Sequence, residues 1–328
     1  AGHQPDFVGK DRFKGDWVHP QFWPEGLEYA DKKVVVIGSG ATAMTLVPNM
    51  SRQAAHVTML QRSPTYVTSR PSVDRLANWL RRRLPPKLAY DIVRWRNTVW
   101  QQWIYRSTRI MPSLVKRSLL RKVRDEIGEL VDVDKHFTPS YNPWDQRLCL
   151  IPDDDLFRAI QSGKASVVTD HIESVSEEGV QLVSGEHLAA DVIVCATGFD
   201  AMTGSVVRID ITGLGGQTIA EKWADGPHNY LGLGIAGFPN LFNMQGPGSP
   251  SVFATMVTGI EHQGDWITDC IRSMNTNGHT RIGATADSQA AWVERVAQVA
   301  EPSLRSNCDS WYIGSNIDEG YWDDVEEP

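Results

Sequence analysis

The chain has 328 residues, 41% of them hydrophobic and 22% charged, with a formal net charge of −8. This length predicts roughly two domains, and the composition excludes collagenous, low-complexity or disordered classes. The four cysteines, Cys149, Cys195, Cys270 and Cys308, are far apart and form no C-x-x-C pair, so neither a zinc site nor a disulfide framework is suggested and a reducing cytoplasm fits.

No stretch reaches the roughly 18 apolar residues of a membrane span. The opening Ala1-Gly2-His3-Gln4-Pro5 has no charged n-region followed by an apolar h-region. The expected protein is soluble and cytoplasmic.

From Lys33, the β-branched run Val34-Val35-Val36-Ile37 ends at Gly38 and Gly40, which predicts a buried parallel strand and a sharp turn. A helix is expected over residues 43–50 and a second strand over 56–60, completing a βαβ unit. Residues 73–130 read as helical, broken at Pro85-Pro86 and Pro112. A polar loop over 138–143, a helix near 155–161, and strands at 165–168, 180–183 and 191–195 follow. Glycine turns at 213–216 and 246–248, helices near 251–274 and 287–299, and an acidic tail after Asp318 complete the chain.

Charge is unevenly spread. Residues 75–124 hold 14 Lys or Arg and one acid, Asp91, a local charge of +13 that leaves −21 elsewhere. With Trp79, Trp95, Trp100 and Trp103 in the same stretch, nucleic acid or an anionic membrane is one reading. The preferred one is a helical insertion whose aromatic side chains pack inward and whose arginines are solvated. Weak peripheral membrane association through this stretch stays open; nucleic-acid binding is not expected.

Gly38-Ser39-Gly40-Ala41-Thr42-Ala43 matches G-x-G-x-x-A between a strand and a helix, the context that a dinucleotide fingerprint requires. The first glycine permits the tight turn, the second lets a pyrophosphate approach the backbone, and the small Ala43 lets helix and strand pack closely. Amides of residues 41–44, Met44 included, then face the anion at the positive end of the helix dipole. The second strand ends in Gln61-Arg62-Ser63, where an NAD enzyme places a carboxylate. Arg62 suits a 2′-phosphate, favouring NADPH; the alternative is a solvated arginine at a strand end. Asp153-Asp154-Asp155 lack nearby partner ligands and read as an N-cap and first-turn acids rather than a metal site.

Phe13-x-Gly15-x-x-x-His19-x-x-x-Trp23-Pro24, just ahead of the glycine turn, resembles the F-x-G-x-x-x-H-x-x-x-W-[P/D] fingerprint of the Baeyer–Villiger monooxygenases. Residues 31–200, including Tyr141-Asn-Pro-Trp-Asp-Gln-Arg-Leu-Cys149, are similar to the ethionamide-activating branch of that family. Residues 200–317, with Gly246-Pro-Gly-Ser-Pro-Ser251 and Ser310-Trp311-Tyr312, are similar to the phenylacetone and cyclohexanone monooxygenases.

The resemblance implies an α/β flavoprotein with two dinucleotide-binding domains, using FAD, NADPH and O₂ to convert a ketone into an ester or lactone. Oxygenation of a thioether or amine, or a nucleotide-binding fragment without turnover, are the alternatives. It implies a linker and FAD-domain remnant over 1–30, an NADPH domain over 31–64 and 144–198, a helical insertion over 65–143, and the C-terminal part of the FAD domain over 199–328.

In the family's pattern Arg147 is the active-site arginine, stabilising a deprotonated flavin peroxide and the oxyanion of its adduct. Gln146 stands where ketone-oxidising relatives often carry lysine. Trp311 is expected to reach the bound NADP. Gly198 and Asp200 belong to the element returning to the FAD domain, Gly246 and Ser249 to a loop beside the flavin, and His19 to an interdomain hinge. Only 37 residues precede Gly38, so the resemblance further implies that the strand and glycine turn for the ADP half of FAD are missing, leaving a chain that folds poorly alone or binds flavin weakly.

Overall fold

The computed structural model describes residues 2, 4–146, 148–199, 203–249 and 256–300. The chain divides into two compact units, one running to Gly198 and the other from Phe199.

The first unit contains, in chain order, β1 (Asp16–Val18), β2 (Lys33–Ile37), α1 (Ala41–Met50), β3 (His56–Gln61), β4 (Tyr66–Arg70), α2 (Arg75–Arg83), α3 (Pro86–Ile110), α4 (Pro112–Ile127), α5 (Val133–His136), β5 (Leu148–Pro152), α6 (Asp155–Gln161), β6 (Ala165–Thr169), β7 (Ile172–Ser176), β8 (Gly179–Leu182), β9 (His187–Ala189) and β10 (Val192–Cys195). Helices α3 and α4 begin at Pro86 and Pro112, where the missing N–H removes no helical bond and the ring presets φ. Helix α2 is capped by Asp74, whose carboxylate accepts from the Ala77 amide at 2.9 Å.

Five strands form one parallel sheet in the order β1-β10-β2-β3-β6. Val34 and Val36 point to one face and pack with Ala43, Met44 and Val47 of α1 and Leu156 and Phe157 of α6. Val35 and Ile37 point to the other and meet Val180, Leu182 and Leu188 of the antiparallel β7-β8-β9 meander. Both faces of β2 are therefore covered, which explains its unbroken apolar run; each such side chain contributes about 2 kcal/mol.

Three elements depart from expectation. Strand β1, unforeseen in the aromatic- and proline-containing segment 13–24, pairs in parallel with β10. Strands β4 and β5 make a separate parallel pair; the long helical stretch between them hides their pairing from local pattern. The acidic triplet supplies the expected N-cap and first-turn acid of α6, Asp154 and Asp155, but without the cap bond. Asp154 occupies the N-cap of α6 at φ 58° without a side-chain cap bond. Asp153 instead accepts from the amide and hydroxyl of Ser72, lowering its carboxyl below the ordinary range.

The expectation of inward aromatic packing in the basic stretch is also overturned: Trp79, Trp95, Trp100 and Trp103 are all at least 50% exposed. The secondary structure is as expected, but the neighbours that would bury those indoles are absent among the described residues.

The second unit contains α7 (Ile219–Lys222), α8 (Met256–Asn277) and α9 (Ala286–Ala300). A capping box between Thr218 and Glu221 starts α7. Ile219, Trp223, Ile235 and Phe238 form its core cluster.

Candidate functional site

The turn after β2 lies where the sheet order reverses: the chain proceeds from β2 to β3 and β6, then returns to β10 on the other flank of β2. The crevice beyond the carboxyl ends of such strands is where open α/β sheets place ligands. Gly38 has φ 125°, and a Cβ there would lie 2.3 Å from the Ala196 carbonyl oxygen. Any larger residue would push the end of β2 away from β10.

Gly40 is the N-cap of α1, and the first helical bond runs from the Met44 amide to the Gly40 carbonyl at 2.9 Å. The amides of Ala41, Thr42 and Ala43 consequently have no partner within the helix and are aimed at the turn. Ala43 is fully buried against the sheet, and Met44 joins the same core; Met44 acts here through packing.

Two further segments converge on this turn. The Ser39 hydroxyl makes a long 3.5 Å contact to the Ser63 carbonyl, bringing the loop after β3, with exposed Arg62, beside the glycines. The Cys149 thiol of β5 lies 3.8 Å from the Ser39 carbonyl, so the segment ending the 141–149 motif also reaches the turn. Gln61, expected at the cofactor, is turned inward instead. Its side-chain amide donates to the His136 carbonyl at 2.7 Å and the Thr169 hydroxyl at 2.8 Å.

The loop leading to Arg147 is held in part by Thr65 and Tyr66, which lie outside the sequence motifs. Tyr66 donates its hydroxyl to the Tyr141 carbonyl at 2.6 Å, while the Tyr141 hydroxyl donates to Thr65 at 3.2 Å, the two rings meeting edge to face. Burial, then Tyr141 and Asp145, push the Tyr66 phenol above its ordinary value, so it stays a donor. The Asp145 carboxylate accepts from the Asn142 amide at 2.9 Å, and Trp144 takes a left-handed conformation at φ 74°. Gln146 is bridged to Pro143. Arg147, Asp200 and Trp311 lie outside the described residues.

The 13–24 fingerprint has a structural basis within the first unit. A Cβ on Gly15 would lie 2.2 Å from the Asp191 carbonyl, so only glycine lets β1 approach β10 this closely. Phe13 meets Trp17 edge to face and packs on the core beneath the meander. Buried His19 caps the short turn at 20–22, its Nδ1 accepting from the Gln21 amide at 3.1 Å. Trp23 packs on the opposite core beside Tyr29. Gly198, at φ 101°, follows β10.

In the second unit Gly246 and Gly232 touch backbone to backbone, the Gly246 amide donating to the Gly232 carbonyl at 3.0 Å. The Ser249 hydroxyl folds back to the Gly246 carbonyl at 2.8 Å. Buried Asn229 locks the pair, accepting from the Gly232 amide at 2.8 Å and donating to the Pro247 carbonyl at 2.7 Å. Its spacing from Gly232, an Asx signal before glycine, was the available clue. Residues 250 and 251 of the expected loop are outside the described set.

A family model described as flavin-binding monooxygenase-like matches residues 3–204. The chain belongs to this family. It is 44% identical over 313 residues to the probable FAD-binding monooxygenase AlmA of Acinetobacter baylyi, covering 95% of this chain and 59% of that one. It is 46% identical over 248 residues to the FAD-containing monooxygenase EthA of Mycobacterium tuberculosis, covering 73% and 48%. Among solved structures, OTEMO in complex with FAD and NADP matches with a TM-score of 0.79 at 26% identity, over 95% of this chain and 66% of that chain. The fold is thus that of an α/β flavoprotein monooxygenase with dinucleotide-binding domains. The chain spans about half the length of the curated relatives it matches.

Proposed function

We propose that the protein is an FAD- and NADPH-dependent monooxygenase of Baeyer–Villiger type, converting a ketone, O₂, NADPH and a proton into an ester or lactone, water and NADP⁺. The observation that carries the reading is the glycine cradle at the sheet's reversal point. Gly38 is pressed on the Ala196 carbonyl, and the amides of residues 41–43 are left for a pyrophosphate. The match to a structure holding FAD and NADP and the names of the relatives support the same cofactors.

In this reading, helix α1 holds the NADPH pyrophosphate and Arg62 its 2′-phosphate, with Gly198, Asp200 and Trp311 completing the cofactor contacts. The 246–249 loop lies against the flavin, and its glycine backbone gives a close, rigid approach. FAD, when bound, would supply the oxygen-activating chemistry and NADPH the electrons for it. Arg147 holds the substrate and stabilises the negative charge that grows on the carbonyl oxygen. The His19 segment acts as a hinge for the cofactor domains.

Arg147→Ala is expected to keep flavin binding while ester formation falls by at least about a hundredfold; full oxygenation by that variant would refute the assignment. Arg62→Ala is expected to raise KM for NADPH about tenfold or more, with little change for NADH. A second reading, oxygenation at sulfur or nitrogen, is favoured by Gln146 in place of lysine and by the similarity to EthA. A panel of ketones, thioethers and amines separates the two by product.

A further inference from the structure

Helix α3 is amphipathic with its apolar side toward water. Leu88, Ile92, Trp95, Val99, Trp103 and Ile110 recur every three or four residues apart from one gap, which places them on one face of the helix. All six are between 40% and 75% exposed. The helix is held to the protein on its other side, where Ala89 and Thr108 are buried, and Arg96 at the border pairs with Asp74. Arg106 falls at the gap in the stripe, between Trp103 and Ile110, and Arg94 and Arg109 lie on the same helix. The surrounding stretch carries a net +13 against −21 elsewhere.

Few partners suit this combination. A second copy of the chain would set +13 against +13. Nucleic acid offers phosphates but nothing for leucine, isoleucine and valine in a row. A neutral apolar groove would leave the cations without counter-charge. An anionic lipid surface offers phosphates at one depth and hydrocarbon just below, which matches arginines beside a stripe of aliphatic and indole side chains.

We propose that α3 docks this stripe on an anionic phospholipid bilayer, lying in the plane of its surface. The arginines contact headgroup phosphates, and Trp95 and Trp103 sit at the level of the headgroups. The association is peripheral, since no helix among the described residues is long and apolar enough to cross a membrane. The same surface repels the acidic remainder of the chain, which orients the protein with the basic helices facing the lipid.

The test is co-sedimentation of the full chain with phosphatidylcholine vesicles, with and without about a third phosphatidylglycerol, at low salt. At least about tenfold more binding to the anionic vesicles is expected, with a blue shift of tryptophan emission and release in about 0.5 M salt. Trp95→Ser combined with Trp103→Ser, both exposed and so compatible with folding, is expected to cut binding at least about fivefold at unchanged melting temperature. Absence of binding to anionic vesicles at low salt overturns the proposal. So does binding indifferent to the double substitution, tighter binding to duplex DNA than to vesicles, or a dimer in solution that the double substitution dissolves.

Discussion

Strand β2 and helix α3 are both lines of apolar side chains, and they lie on opposite sides of the protein–water boundary. Val34, Val35, Val36 and Ile37 are at most 6% exposed, packed between helices on one face of the sheet and a meander on the other. The stripe of α3, from Leu88 to Ile110, is open to solvent over about six turns. The difference teaches that apolar periodicity identifies the element and its sticky face, while the covering of that face depends on what the rest of the chain, or another molecule, brings to it.

This contrast can be broken at β2 first. Gly38→Val would place a branched side chain at positive φ against the Ala196 carbonyl, at an expected cost of about 3 kcal/mol or more in stability together with loss of NADPH binding. Denaturant melts and cofactor titration measure both, and an unperturbed variant would mean that β2 and β10 do not approach as described. Val36→Ala, in the middle of the sheet, is expected to cost about 2 kcal/mol through lost burial and a small cavity.

A smaller effect is expected from His136, which links α5 to β6 through the Thr169 hydroxyl at 2.8 Å. Burial, followed by the neighbouring Lys135 charge, lowers its pKa from the ordinary 6.5. The unfolded chain therefore takes up a proton before the folded one as pH falls. Stability is held above pH 6.5 and declines as pH falls from there toward the lowered folded value. The loss stays below about 1 kcal/mol because the ring is only partly buried. Thermal melts at pH 7.5 and 5.5 (about one unit either side of the ordinary value) should show the drop, and His136→Gln should remove it. Smallest of all is Trp95→Ser on α3, expected to change stability by less than about 0.5 kcal/mol. A large loss there would show that the stripe is covered within the folded protein and would collapse the contrast with β2.

Legibility in the sequence followed the range of the interactions. Strand β2, the glycine turn and α1 are written in the consecutive positions from Lys33 to Met50, each constrained by its neighbours, and they occur where the pattern places them. The breaks at Pro86 and Pro112 were equally local. Strand β1 was missed because a three-residue edge strand has no period to detect; its signal was Gly15, whose need for space becomes visible only beside Asp191. Gln61 ends the second strand beside Arg62, a position that the sequence assigns to the cofactor. Its amide is committed to His136 and Thr169, which arrive 75 and 108 residues later.

By itself the sequence determined strand β2, the parallel βαβ unit, the glycine cradle and the likeness to flavin monooxygenases, because strand burial, glycine conformations and helix starts are governed by short stretches of chain. Only the tertiary structure decided that the cradle lies at the reversal point of the sheet, that Tyr66 and Tyr141 secure the loop before Arg147, and that Asn229 locks the two glycine backbones of the second unit. It also decided that the tryptophans of α3 face water. Those outcomes depend on partners distant in sequence, and a periodic pattern states which side of a helix is apolar without stating what, if anything, comes to cover it.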